Sequence, residues 1–325
     1  MGYIKYRTEK VWSWENFEVG DQYGPVVGEV SDFLIKSHAY VVDDYGDWYF
    51  KDSTPFGGRI GHPTLLANSI LGLHRLGYKV DSATHPGGLH TRNEIKFLGP
   101  IFAGTEVTIR GSNVAKHQKR GNSYWVLEGE VVDPSGRRLL WARVTETVGL
   151  DMKVGQVTSG TQPDAITGEV PVGVPTVIHA SRFVPEGALL PTLTKHTTLE
   201  QNIVFSGFRY GWAEGGGTEM TLNVHTDPVE AKQRMGQPDA LVQGLIPNAY
   251  MSELCTDFFG PLWLTTGRMN VAFIRPVVVR DDIATSGMVK RRVDEGGHTR
   301  LELDLWCKNQ RGELITVGRA SAEVA

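Results

Sequence analysis

The sequence predicts an α+β protein made of two similar units, each with one helix packed on antiparallel strands. Three observations support this prediction. The 325 residues are enough for two domains of about 150 residues each. Short motifs recur at one fixed spacing along the chain. In each half, one helix-like run precedes several runs in which apolar and polar residues alternate.

The repeat is visible in two places. Residues 92–100 read RNEIKFLGP, and residues 268–276, which follow 176 residues later, read RMNVAFIRP. The same spacing relates Gly136 to Gly312, and each of these glycines stands between two strand-like runs. Two matches at one spacing indicate a tandem duplication.

The duplication sets the expected domain limits. We assign residues 1–152 to the first unit and residues 177–325 to the second. Residues 153–176 are rich in Gly, Thr, Pro and Val and follow no clear period. This composition is typical of a linker.

Each half contains one candidate for a long helix. In the first half it is HPTLLANSILGLHRLG, residues 62–77, where Pro63 suits a first helical turn because that position needs no amide hydrogen. The second candidate is GLIPNAYMSELCTDFFG, residues 244–260. We expect each helix to pack on the strands that follow it, and the edge strands of the two halves to pair into one continuous sheet.

Composition argues against several classes of function. The formal net charge is −4 without a Lys/Arg cluster, so nucleic acid is not an expected partner. No apolar run reaches about 18 residues, so no membrane span is expected. The Gly-rich stretch 214–220 lacks the Lys-Ser/Thr of a phosphate loop, and Cys255 and Cys307 match no metal-ligand spacing. The charged N-terminus lacks the apolar stretch of a secretory signal, so we expect a cytoplasmic protein.

Two loops and the helix starts behind them carry a family resemblance. The first half has DDYGDWYF ahead of GHP, and the second has LNVHTDP ahead of VQGL. With these motifs and the repeat, the chain resembles the MaoC-like, (R)-specific enoyl-CoA hydratases in a tandem form, over nearly its whole length. The resemblance implies a double hot dog fold, in which two antiparallel sheets each wrap around a central helix and join as a pseudo-dimer.

The resemblance also implies a function. The substrate would be an acyl-CoA thioester, and the reaction would be hydration of an enoyl-CoA or dehydration of a 3-hydroxyacyl-CoA. Neither a metal nor a redox cofactor is implied, because backbone amides at a helix start would polarise the carbonyl. The tandem unit already supplies the pairing of two hot dog units, and a homodimer is our expectation for further assembly.

The second half matches the family motif at three positions. In that family the motif reads approximately Asp-x-Asn-Pro-x-His-x-Asp, followed by His-Gly at the helix start. Carried over, His225 is the expected catalytic acid–base group, which suits a side chain that titrates near neutral pH. Gly244 would hold the thioester carbonyl through its amide, and Asn223 falls on a substrate-binding position.

The acid of the motif is missing from the second half. Its position falls on Met220, or on Thr221 if the alignment slips by one residue, and the nearest acid is Glu219. Asp227 precedes Pro228, which is the pattern of a helix N-cap, so we expect a capping role for it.

The first half keeps a different part of the motif. Asp44 stands at the family's Asp position, whereas Tyr49 replaces the His. His62 matches the His before the helix, but Pro63 stands where Gly belongs and cannot donate an amide hydrogen.

Each first-half residue has two readings. Asp44 is either a catalytic carboxylate or a turn cap. Tyr49 is either a hydrogen-bond donor in catalysis or a core residue, and His62 either contacts substrate or packs in a loop. We favour the second half as the working cleft. The alternatives are a thioesterase, or another thioester enzyme, on the same scaffold, and an acyl-CoA-binding subunit without catalysis.

Overall fold

The computed structural model describes residues 10–78, 88–149, 165–206 and 222–324. Within these ranges ten strands form one antiparallel sheet. The first half contributes β1 (Gln22–Glu29), β2 (His90–Phe97), β3 (Glu106–Lys119), β4 (Asn122–Val132) and β5 (Arg138–Val148). The second half contributes β6 (Leu193–His196), β7 (Arg268–Phe273), β8 (Asp282–Glu295), β9 (His298–Asn309) and β10 (Leu314–Val324).

The two halves meet at the centre of this sheet. The strand order is β1-β3-β4-β5-β2-β7-β10-β9-β8-β6, so β2 and β7 form the seam. Arg92 lies opposite Ala272, and Lys96 lies opposite Arg268. The predicted pairing of edge strands into one continuous sheet is therefore confirmed. The domain limits 1–152 and 177–325 stay a proposal, since residues 150–164 lie outside the described part of the chain.

The strands repeat at the spacing that was found in the sequence. β3 and β8 begin and end 176 residues apart, and so do β5 and β10. Gly136 and Gly312 lie in the turns before β5 and β10 with φ angles of 85° and 75°. This left-handed backbone conformation favours glycine, which explains why both turns carry it.

The two central helices differ in length. In the second half α5 (Leu245–Phe259) runs for 15 residues with all but one buried, as the sequence predicts. In the first half α2 (Ala67–Leu71) has only five residues and continues as a 3₁₀ turn over Gly72–Leu76. The prediction of a long helix from residue 62 is therefore wrong. The Thr64 amide donates a hydrogen bond to the His62 ring, and this bond holds the residues before α2 in turns. Gly72, which directly follows α2, disfavours its continuation as an α-helix.

Shorter helices complete each half. They are α1 (Asp32–Val41), α3 (Leu199–Ser206), α4 (Pro228–Met235) and α6 (Trp263–Thr266). The Asp227 carboxylate accepts a hydrogen bond from the Val229 amide at 2.8 Å and caps α4. The predicted capping role of Asp227 is confirmed.

α1 and α3 are equivalent helices that pack on each other. Ser31 accepts a hydrogen bond from the Leu34 amide, and Thr198 accepts one from the Gln201 amide, at equivalent helix starts. These equivalent residues lie 167 positions apart, whereas the strands after the central helices lie 176 apart. The second half therefore has nine additional residues between the start of α3 and the loop that carries His225.

Candidate active site

Backbone hydrogen bonds show which loop residues correspond in the two halves. The residue before Tyr49 accepts from the amide of Ile60 at 3.1 Å, and the residue before His225 accepts from the amide of Leu241 at 2.8 Å. Tyr49 thus occupies in the first half the place that His225 occupies in the second, as the motif alignment predicts.

The helix starts correspond in the same way. A ring nitrogen of His62 accepts from the amide two residues further on at 3.1 Å, and the side-chain oxygen of Gln243 accepts from the equivalent amide at 2.5 Å. Each side chain satisfies an amide at or just before the start of its central helix. Pro63 and Gly244, which directly follow them, therefore occupy equivalent positions.

The His225 ring is held in one tautomer. Its Nδ1 lies 2.9 Å from the carbonyl oxygen of Leu241 and must donate to it, so Nε2 carries the lone pair of the neutral ring. Burial lowers the pKa of His225, and the charge of Arg75 lowers it further against the effect of the Leu241 carbonyl. Near neutral pH the ring is therefore an uncharged base whose accepting atom is Nε2.

Gly244 presents an amide at the start of α5. Among the described residues nothing accepts a hydrogen bond from this amide. The Phe273 ring lies about 3.5 Å from where a Cβ of residue 244 would stand, which covers this point with an apolar wall. A donor that is free at the start of a 15-residue helix can hold a carbonyl oxygen or an oxyanion.

Asn223 orients the loop from within. Its side-chain oxygen accepts the His225 amide at 2.8 Å, and its side-chain nitrogen donates to the carbonyl of Ser206 at 3.4 Å. The structure therefore gives Asn223 contacts with its own loop and with the end of α3, while the predicted substrate contact stays a prediction. Asn223 lies in the same loop as His225. Gly244 lies shortly after Leu241, whose backbone forms a β-bridge.

The other half supplies the opposite wall of this second cleft. The His90 ring packs on the Phe273 ring at a centroid distance of 4.9 Å, and Glu146 lies opposite His90 in the pairing of β2 with β5. Arg75, in the turn after α2, acts electrostatically on both His225 and Glu146. Sequence reasoning missed Arg75 and Glu146, because neither belongs to the family motif and each lies far along the chain from His225.

The first cleft holds the three predicted residues of the first half. Asp44 is buried, accepts the Gly46 amide at 3.0 Å, and lies 3.6 Å from Nε2 of His62. Burial raises the pKa of Asp44, and hydrogen bonds from Gly46 and Tyr49 oppose the shift. Burial also lowers the pKa of His62 to about 3. Since Nδ1 of His62 accepts from a backbone amide, its proton lies on Nε2 and faces Asp44, so this ring is not a base.

Charged groups of the second half reach the first cleft. The Lys195 ammonium donates to the Glu253 carboxylate at 2.8 Å and also to the backbone carbonyl of Asp43. Burial raises the pKa of Glu253 to about 8, and the nearby Asp44 charge adds to the shift. A cleft of about 460 Å³ lies beside these groups, lined in part by Tyr49 and Asp257.

The structure thus divides the predicted residues into two groups. Asp44, Tyr49 and His62 lie together in the first cleft, while His225 and Gly244 belong to the second. No contact among the described residues joins Asp44 to His225. The positions that align with the missing acid of the second half, residues 219–221, lie outside the described residues.

Solved structures resemble this chain over nearly its whole length, at low sequence identity. A MaoC-like dehydratase has 16% identity and a TM-score of 0.71 over 96% of this chain and 100% of that chain. A MaoC-like dehydratase from Phytophthora capsici has 14% identity and a TM-score of 0.60 over 94% and 98%. A Mycobacterium tuberculosis protein, described as having a double hot dog fold, has 15% identity and a TM-score of 0.62 over 96% and 98%. No protein-family model and no curated protein matches the sequence.

The chain therefore has a double hot dog fold. Its structural neighbours include MaoC-like dehydratases, so the resemblance read from the two loop motifs is confirmed at the level of the fold. Within the part of the chain that the structure describes, no helix is long and apolar enough to cross a membrane.

Proposed function

We propose that this protein is a hydro-lyase that acts on acyl-CoA thioesters in its second cleft. It would add water to an α,β-unsaturated acyl-CoA or remove water from a 3-hydroxyacyl-CoA. Two of the solved structures that share its fold are described as MaoC-like dehydratases, which supports this chemistry over others on the same scaffold.

One observation carries the proposal. The second cleft combines a neutral imidazole whose Nε2 is free to accept a proton with a helix-start amide, that of Gly244, which has no described acceptor. Hydration of an enoyl thioester needs both groups. A base must take a proton from the attacking water, and a donor must stabilise the negative charge that develops on the thioester oxygen.

The first cleft is less suited to this reaction. Pro63 has no amide hydrogen at the position of Gly244, and Tyr49 replaces His225. The pKa of Tyr49 lies well above its usual value because of burial and the neighbouring Asp44 charge, so the phenol does not act as a base near pH 7. We therefore expect the first cleft to contribute walls rather than chemistry.

Incubation with crotonyl-CoA in the presence of EDTA tests the proposal. Hydration removes the absorbance of the conjugated thioester without releasing free thiol. Release of thiol would instead identify a thioesterase. Binding with neither change would identify a subunit that holds acyl-CoA without catalysis, the reading that the incomplete motifs also allow.

A pair of variants locates the reaction. We expect His225→Ala to reduce the hydration rate by about 100-fold or more, the scale of general acid–base catalysis. Asp44→Asn should stay near the wild-type rate, since Asp44 lies in the other cleft. Both proteins are first checked for folding by circular dichroism. The opposite pattern would move the active site to Asp44 and its neighbours.

A further inference from the structure

The second cleft has a carboxyl group that its own loop does not provide. Glu146 lies on β5 of the first half, where Ala142 and Val144 are buried, and it continues the series of alternate residues on that helix-facing side. The pairing of β5 with β4 is regular from residue 140 to residue 148, which puts Glu146 on the same face as Ala142 and Val144, where it is half-buried beside the buried Thr147. Its side chain therefore points to the inside of the sheet.

A chain of contacts leads from Glu146 to the start of α5. His90 on β2 is the strand partner of Glu146, at a bulge where the register shifts between His90 and Arg92. The His90 ring packs on the Phe273 ring at 4.9 Å, and the Phe273 ring lies about 3.5 Å from the Cβ position of Gly244. Glu146 thus belongs to the wall that faces the free amide.

The charge of Arg75 connects Glu146 to the base. Arg75 acts electrostatically on Glu146 and on His225, so both groups feel the charge of one guanidinium. His225 comes from the second half and the other two residues from the first. The electrostatic influence of Arg75 on His225 therefore crosses from one half to the other.

The equivalent position of the first cleft has no acid. β5 and β10 lie 176 residues apart from end to end, so the counterpart of Glu146 is Ala322. Tyr49 of the first cleft corresponds to His225 of the second, and Pro63 corresponds to Gly244. Ala322 corresponds to Glu146. Base, amide donor and acid are therefore all on one side of the molecule.

We propose that Glu146 is the general acid of the second cleft and supplies the acid that the His225 loop lacks. This inference rests on the proposed function. In hydration, the oxygen of water bonds to Cβ of the enoyl-CoA while its proton passes to Nε2 of His225. The electron pair of the double bond takes the proton of the Glu146 carboxyl group at Cα. The imidazolium then returns its proton through solvent to the carboxylate, so that one water has been added overall.

The electrostatics of Glu146 suit this role. Burial raises the pKa of Glu146 to about 7, although the charge of Arg75 opposes the shift. Near neutral pH a large share of the molecules therefore carries the proton that the reaction requires. An exposed glutamate, with a pKa of about 4.3, would have lost this proton near neutral pH.

An NMR titration of the His225 ring tests the placement without any use of activity. The signals of the ring are assigned with His225→Gln in the full-length protein. We expect a change in their chemical shift near pH 7 as Glu146 ionises, and we expect Glu146→Gln to abolish it. Glu130→Gln is the matched control, because Glu130 lies on the neighbouring strand in a surface ion pair with Arg110. A change that persists in Glu146→Gln would overturn the proposal.

Kinetics on the same variants test the role. Glu146→Gln keeps the size of the side chain but cannot deliver the proton, so kcat for hydration of crotonyl-CoA should fall by about 100-fold or more with little change in KM. Glu130→Gln should stay near wild type. If wild type hydrates the substrate and Glu146→Gln does so equally well, Glu146 is not the acid. If wild type hydrates no enoyl-CoA, the proposed function fails, and the pairing of Glu146 with His225 is decided by the titration alone.

Discussion

One of the residues that distinguish the two clefts lies at the start of each central helix. Gly244 has an amide hydrogen, which we propose binds a thioester oxygen, whereas Pro63 at the equivalent position has none. The first half also shows that the backbone accommodates proline at this point. The exchange of these two residues therefore isolates the amide from other effects of a mutation.

Gly244→Pro should remove the carbonyl-binding donor while it leaves the fold intact. We expect the hydration rate to fall by about 100-fold or more, the cost of one oxyanion donor. The measurement is kcat/KM with crotonyl-CoA, combined with a thermal melt. Pro63→Gly is the matched control and should change the rate little. A Gly244→Pro protein with wild-type activity would show that this amide does not bind the carbonyl.

The dependence of the rate on pH follows from two residues. His225 must be neutral to accept a proton, and burial lowers its pKa below 6.5. On the acid side, activity should therefore fall as pH drops through that lowered value. Glu146 must be protonated to donate, so activity should fall again as pH rises through about 7. We therefore expect a bell-shaped profile of kcat/KM with its maximum below pH 7. Loss of the alkaline limb from the residual activity of Glu146→Gln would assign that limb to Glu146, and an unchanged limb would assign it elsewhere.

At the scale of elements, one buried side chain joins three parts of the second half. The side-chain nitrogen of Asn202, on α3, donates to the carbonyls of His225 and Leu241, each at 2.6 Å. Its oxygen accepts the amide of Gln243 at 3.2 Å. The loop with the base, the strand bridge and the start of α5 are thus fixed relative to one another.

Asn202→Ala should weaken both the fold and the site. Each buried group that loses its partner costs about 1–3 kcal/mol, and the costs are not additive, so we expect a loss of about 2–4 kcal/mol in the free energy of unfolding. Urea unfolding measures this loss, and kcat should fall with it because His225 loses its position. Asn68→Ala, at a half-buried helical position, is the control. Equal stability of wild type and Asn202→Ala would contradict the role.

Helix continuity is also decided at this scale. The second-half helix candidate forms one helix over Leu245–Phe259, whereas the first-half candidate breaks into a short helix and a 3₁₀ turn. Both candidates have enough apolar residues to be buried. The apolar pattern does not predict the difference. In the first half the His62 ring accepts a hydrogen bond from an amide ahead of α2, and Gly72 directly follows α2.

At the scale of the whole molecule, the β2–β7 seam unites the two halves. Asn270 on β7 lies opposite Glu94 of β2 on one side and opposite Arg319 of β10 on the other. A strand paired on both sides cannot accept proline without loss of a ladder hydrogen bond and a steric clash. The second cleft depends on this seam, because its walls come from both halves.

Asn270→Pro should therefore unfold or destabilise the entire molecule rather than one half. We expect a loss on the order of 3 kcal/mol or more, measured by urea unfolding. Asn270→Ala, which keeps the amide hydrogen, is the matched control and should cost much less. If one half stayed folded in Asn270→Pro, with two separate unfolding transitions, the seam would not couple the units.

The sequence by itself determined the features that depend on local pattern. Alternation of apolar residues located the strands, the turn glycines marked the repeat, and a short loop motif pointed to His225 and Gly244. Each of these signals lies within a few residues of the feature that it predicts. The fold class could therefore be predicted without coordinates, while the roles of His225 and Gly244 stay predictions.

Only the tertiary structure decided which groups share a cleft. The proposed partnership of Glu146 with His225 depends on the β2–β7 seam, which joins the half that carries Glu146 and Arg75 to the half that carries His225. The joining of the halves likewise places Lys195 and Glu253 beside the Asp44 loop, in a cleft apart from His225. Proximity between residues so far apart along the chain leaves no local pattern, since it arises from the hydrogen bonds and packing that join the two halves.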